Sequence, residues 1–185
     1  MKIIKMKYLD EVYKGVKLLS EDPRVIFVGQ ALKYPGHAIT HQVKDLGCQK
    51  IEMPVAEDFQ AGFCIGMALE GYIPVCIYPR FNFALLATNQ IVNHLDKYPL
   101  ITDGKVVPKV IIKVAVGSDT PLDPGHQHKY NFTEAFRSMC KTIEVIELTK
   151  PFQVFDSYKY ALQSKYSVIL VEHSANYADE EEWEW

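Results

Sequence analysis

Apolar residues in segment 6–20, MKYLDEVYKGVKLLS, fall at helical spacing, with Met6, Leu9, Val12, Tyr13, Val16 and Leu19 on one face and Pro23 just past the end. The period then changes. VIFVG over 25–29 is a short unbroken apolar run closed by glycine, the pattern of a strand buried on both faces. Further strands of this kind are predicted at 50–53, 73–78, 109–116, 143–148 and 168–172, and helices at 39–46, 56–71, 83–98, 132–140 and 151–164. In 83–98 the expected inner face is Leu86, Ile91 and Leu95. Strands alternating with helices require crossover connections between parallel neighbours. The chain is therefore read as α/β, a three-layer αβα sandwich with a mostly parallel sheet of about six strands. One domain is expected over residues 1–175, followed by an acidic, solvated tail at 176–185 that ends in ADEEEWEW.

Composition narrows the partners. The 185 residues are 48% hydrophobic and 23% charged, enough for one full-sized core without disulfide or metal staples. Twenty basic against 23 acidic side chains give a net charge of −3, which argues against nucleic acid or an anionic membrane as the partner and for a small molecule or a protein. Cys48, Cys64, Cys76 and Cys140 form no CxxC pair and lie in apolar or periodic segments, so they read as reduced core thiols. The first residues mix charge into every turn, unlike a signal peptide, and no apolar run approaches the roughly 20 residues of a membrane span. A cytoplasmic location is expected.

In an open parallel sheet, ligands collect where strands end at their carboxyl termini. Four loops fall there, at 29–36, 54–58, 78–83 and 117–128. Glu57 stands at the start of the predicted helix 56–71, where either a solvated capping carboxylate or a functional acid would be favoured by the helix amides. Phe81 and Phe83 could belong to the core or form a platform for a flat ligand. His126 and His128 share a loop with Asp119 and Asp123, a combination compatible with a metal site or with a histidine that relays protons.

These residues occur in a recognisable order. The stretch from Met53 to His94, MPVAEDFQAGFCIGMALEGYIPVCIYPRFNFALLATNQIVNH, resembles the pyrimidine-binding domain of thiamine-diphosphate enzymes of the transketolase group. Within that group it is closest to the β subunit of the first component of 2-oxo acid dehydrogenases. The resemblance continues at KVAVGSDTPLDPGHQHKYNFTEAF and SVILVEH, and an earlier fragment, VIFVGQALKYPG, is similar to the first strand and loop of the domain. It implies that Glu57 is the carboxylate that bonds the pyrimidine ring of thiamine diphosphate, so that the cofactor's amino group can accept the proton of the reactive thiazolium carbon. It further implies that Phe83 stacks on the pyrimidine, that Val55 packs against the cofactor, and that His128 lines the substrate side as an active-site histidine.

The departures are equally specific. Ala56 replaces a serine beside the glutamate, and Asn89 stands where relatives usually carry aspartate. Thr102-Asp103-Gly104 lacks the flanking glycine and asparagine of the magnesium and diphosphate motif, so no metal ligand is assigned. The β subunits also continue into a second domain after the LEH-like strand, whereas the sequence runs only to Trp185. The resemblance therefore implies the β-like subunit of a split enzyme that decarboxylates a 2-oxo acid or transfers an acyl or aldehyde unit. An α-like partner would hold Mg2+ and the diphosphate, in a homo- or hetero-oligomer. The alternative is a non-catalytic assembly or regulatory protein that keeps the fold.

Overall fold

A computed structural model describes residues 3–33, 38–120 and 123–184, so parts of the predicted loops 29–36 and 117–128 lie outside the described residues. The main sheet has six strands, all paired in parallel, in the order β3-β2-β4-β5-β7-β6. They are β2 (Val25–Gly29), β3 (Lys50–Glu52), β4 (Ile73–Tyr78), β5 (Ile111–Val116), β6 (Glu144–Leu148) and β7 (Val168–His173). The apolar runs of β2, β4 and β5 are buried at every position, as a sheet covered on both faces requires.

Alternation along these strands sorts the core into two layers. Ile26, Val28, Cys76, Ile112, Val114 and Ile169 face α3 (Glu57–Leu69), α4 (Phe81–Ala84) and α6 (Thr133–Met139). Val25, Phe27, Val75, Ile111, Ala115 and Leu170 face α1 (Tyr8–Ser20), α2 (Ala38–Lys44) and α7 (Pro151–Gln163). Helices α1 and α7 lie close because position 15 is glycine: a β-carbon there would fall 2.4 Å from the Tyr158 ring. At the outer strand β6, the Arg137 guanidinium donates to the Val145 carbonyl from both Nε and Nη2 at 3.1 Å. The open edge is thereby partly closed to another strand.

Two expectations are corrected. The acidic end is not a solvated tail: β8 (Glu180–Glu184) pairs antiparallel with β1 (Ile3–Lys7) in a separate two-stranded sheet. Its register sets Lys5 opposite Glu182 and Lys7 opposite Glu180, and the Lys7 ammonium lies 2.8 Å from the Glu180 carboxylate. Opposite charges directly across a ladder favour this pairing. The segment 83–98 is not one regular helix either. After α4 it passes through a 3-10 turn, Leu85–Ala87, and a π-helical stretch, Asn89–Leu95, before the short α5 (Tyr98–Ile101). The changed winding makes Ala84, Ala87, Ile91 and Leu95 the buried stripe and turns Leu86 outward, 65% exposed.

Candidate active site

Glu57 opens α3 directly beyond the carboxyl end of β3, and its side chain is only 6% exposed. Its backbone carbonyl accepts a hydrogen bond from the Tyr78 hydroxyl at 3.0 Å, which ties the first turn of α3 to the end of β4. One turn on, the fully buried Gln60 donates to the Ile77 carbonyl at 3.1 Å and to Cys76 Sγ at 3.3 Å. Burial, with Cys76 and Glu57 nearby, pushes the Tyr78 phenol well up, so it remains a donor. The helix start is thus fixed to the sheet by side-chain bonds, and the carboxylate is held in place. Oε1 of that carboxylate accepts from the Gln30 amide at 3.4 Å, across from the loop that follows β2.

Beyond Tyr78 the chain turns into α4, where two phenylalanines part company. Phe81 is core, stacked on Phe136 at 5.4 Å and edge-on to Phe132 at 5.8 Å. Phe83 is half-buried and meets the His128 ring edge-on at 5.4 Å. His128 closes the 3-10 turn His126–His128, and Gly117 lets that turn approach the end of β5, because a β-carbon at 117 would lie 2.7 Å from the His128 carbonyl. His128 Nδ1 and Asn82 Oδ1 are both buried without a hydrogen-bond partner, so two unmet polar atoms flank Phe83 in the sequence order of the site. Val55, in the turn before Glu57, is 80% exposed and leaves an apolar surface open there.

The metal alternative for the histidine loop finds other partners for its carboxylates. Asp119 and Asp123 hold the Lys129 ammonium at 2.5 and 3.0 Å. The Gly125 N–H and then Lys129 keep the Asp123 carboxyl below its usual range. Among the described residues, no three His, Cys, Asp or Glu side chains converge as a metal site. His126 instead lines an open cleft of ≈600 Å³ with Ser118, Lys129 and Tyr130. Thr102-Asp103-Gly104 closes α5 through left-handed Asp103 and Gly104, with the Gly104 N–H on the Pro99 carbonyl at 2.7 Å.

The model of the transketolase pyrimidine-binding domain matches residues 14–180, which takes in Glu57, Phe83 and His128. The chain belongs to this family. Among curated members it is 25% identical over 162 residues to a chloroplastic pyruvate dehydrogenase E1 component subunit beta-3 of Oryza sativa subsp. japonica, covering 85% of this chain and 41% of that one. It is 27% identical over 159 residues to the corresponding subunit beta-3 of Arabidopsis thaliana, covering 84% of this chain and 38% of the relative. To the mitochondrial subunit beta of Caenorhabditis elegans it is 25% identical, with shares of 86% and 46%. The chain thus spans about two-fifths of the length of the first of these relatives. Among solved structures, a split-gene transketolase described as an inactive beta4 tetramer superposes with a TM-score of 0.67 at 20% identity, over 91% of this chain and 52% of that one. That likeness carries the fold.

Within this family fold, Glu57 at the start of α3, Phe83 in α4 and His128 in the 3-10 turn 126–128 lie on the connections that leave the carboxyl ends of β3, β4 and β5 respectively. Sequence reasoning missed the side chains that hold them. Gln30 is the first polar residue after the glycine that ends β2, a readable position, but its aim at Glu57 spans 27 residues of chain. Glu52, Gln60 and Tyr78 looked like ordinary strand and helix residues, and nothing local marked them.

Proposed function

We propose that this chain is the pyrimidine-binding, β-like subunit of a split thiamine-diphosphate enzyme, acting on a 2-oxo acid or transferring an acyl or aldehyde unit. The observation that carries the reading is the buried Glu57 carboxylate at the mouth of the sheet, anchored through its own backbone and free to bond a ring nitrogen. The surrounding residues fit a flat, polar heterocycle. Phe83 offers an aromatic face or edge, Val55 an exposed apolar contact, and the unpartnered Nδ1 of His128 a polar atom that a ligand can satisfy.

When bound, thiamine diphosphate supplies a carbon nucleophile for attack on a substrate carbonyl. Glu57 would hold a proton shared with the pyrimidine nitrogen and so favour the ring tautomer whose amino group acts as a base. Phe83 would stack on or abut the ring, and His128, whose Nδ1 has no protein partner, would donate to a developing oxyanion or take up its proton. An α-like partner would bring the magnesium and diphosphate ligands. The exposed apolar side chains next to Glu57, namely Val55, Phe59 and Phe63, give such a partner a surface to cover. A cytoplasmic location is part of the same proposal. The beta4 assembly of the split-gene transketolase, inactive as described, supports the view that a β-like chain alone self-associates without turnover.

The test is Glu57→Gln in the pair reconstituted with the α-like chain. The expected result is a fall in kcat of about 10²-fold or more with the fold unchanged. Normal turnover in this variant refutes the assignment.

A further inference from the structure

Among the described residues, the Glu57 carboxylate is met by Gln30 from the turn after β2, and that turn has an unusual support. Directly after Gln30, Ala31 takes a left-handed conformation, φ 55°, which a residue with a β-carbon adopts only when the surroundings impose it. The imposing group is Glu52, at the end of β3. Its Oε1 accepts the Ala31 N–H at 2.5 Å, and its Oε2 accepts those of Leu32 and Lys33 at 2.9 and 3.0 Å. Three successive amides converge on one carboxylate, an anion-binding turn whose anion is built into the chain. Leu32, fully buried, pins the same turn from its other side. The Met53 N–H on the Gly29 carbonyl at 2.9 Å fixes the start of the turn to the strand end that carries Glu52.

We propose that Glu52 and Gln30 form a positioning relay for Glu57: Glu52 shapes the turn at 31–33, and that turn aims the Gln30 amide at the carboxylate of Glu57. Glu52 ends β3 and Glu57 opens α3, so the two ends of one short connection supply the acid and, through the opposite loop, the donor that orients it. Gln30 is a neutral donor, so it fixes the carboxylate without adding a charge. Its contact at 3.4 Å is long enough to yield when a stronger donor, such as a ring N–H, arrives. The relay rests on the reading of Glu57 as the functional acid only for its purpose; its geometry belongs to this chain alone.

The experiment is nuclear magnetic resonance on the full chain without cofactor, following the side-chain amide of Gln30 and the backbone amides of residues 31–33. In the wild type the Gln30 amide protons carry the chemical shift set by their contact with the Glu57 carboxylate, and in Glu57→Gln that shift changes. Glu52→Gln speeds hydrogen exchange at Leu32 and Lys33 by about tenfold or more and also removes the Glu57-dependent shift of Gln30. Gln30→Leu leaves the amides at 31–33 protected, which separates the clamp from the donor. In the reconstituted pair it lowers kcat, with KM for the 2-oxo acid little changed. A Gln30 signal indifferent to Glu57→Gln overturns the relay, as does a Glu52→Gln variant that leaves that signal intact. Should Glu57→Gln keep full turnover while these resonance effects appear, the relay stands and the enzymatic reading fails.

Discussion

Phe81 and Phe83 differ by two positions in sequence and occupy opposite environments, one sealed among Phe132 and Phe136 and the other facing His128. Replacing Phe81 with Ala should cost about 3–5 kcal/mol by urea denaturation, since it empties a packed core position. Phe83→Ala should leave more of the stability and instead weaken cofactor binding in the reconstituted enzyme by about two- to tenfold, the value of an aromatic contact beyond its area. A second residue-scale test concerns Lys113 and Glu172, both 0% exposed and 2.8 Å apart across β5 and β7. The Lys113 ammonium also donates to the Ile39 carbonyl and Gln42 Oε1 at 2.9 and 2.8 Å, and Tyr158 and Tyr177 donate to Glu172 at 2.5 and 2.7 Å. Burial lowers the lysine pKa and the Glu172 carboxylate opposes that, so the pair is stable only as a set. Lys113→Met leaves an uncompensated buried carboxylate and should cost about 3–5 kcal/mol. Adding Glu172→Gln, which removes the charge, keeps one phenol as donor to its oxygen and offers its amide N–H to the oxygen of the other, should recover a measurable part.

At the scale of elements, the irregular helix after α4 is tied down at one point. Asp96, fully buried at its end, accepts the N–H groups of Lys141, Thr142 and Ile143 at 2.9, 2.7 and 2.9 Å and the Lys97 ammonium at 2.5 Å. It thereby joins the winding change in 89–95 to the turn between α6 and β6. Burial alone would raise its pKa, but the Lys97 ammonium and the three amides outweigh burial and hold it below the usual carboxylate value. A carboxylate depressed in the folded state contributes stability above its unfolded pKa and loses it as pH falls through the folded value. Asp96→Asn should therefore destabilise the chain at neutral pH by about 1–3 kcal/mol. The gap between wild type and variant, followed by thermal or urea unfolding, should narrow as the solution is acidified below about pH 4. A gap that stays constant into strong acid would show that Asp96 acts through packing alone.

At the scale of the whole molecule, Glu57, Phe83 and His128 all follow the carboxyl ends of strands, Phe83 and His128 in ring contact, and among the described residues no three metal-ligating side chains converge. If the proposed β-like role holds, the chain should bind thiamine diphosphate and magnesium weakly alone and tightly with an α-like chain. Calorimetry with and without that chain measures this, and tight binding by the lone chain would refute the shared site. The strands, most of the helices that cover them and the chain order of the three candidate residues were legible in the sequence. Burial on both faces writes an unbroken apolar run, and strand ends followed by glycine or proline mark where ligands can enter. The pairing of β1 with β8, the outward turn of Leu86 and the grip of Glu52 on 31–33 were not legible, because each depends on groups brought together from distant parts of the chain or on a change of winding. What the sequence by itself determined was which residues are apolar, at what period, and therefore the layered fold and the candidates on its loops. Only the tertiary structure decided which candidates meet and what holds them. Local pattern encodes burial, whereas the aim of a side chain is set by long-range contacts that no local pattern records.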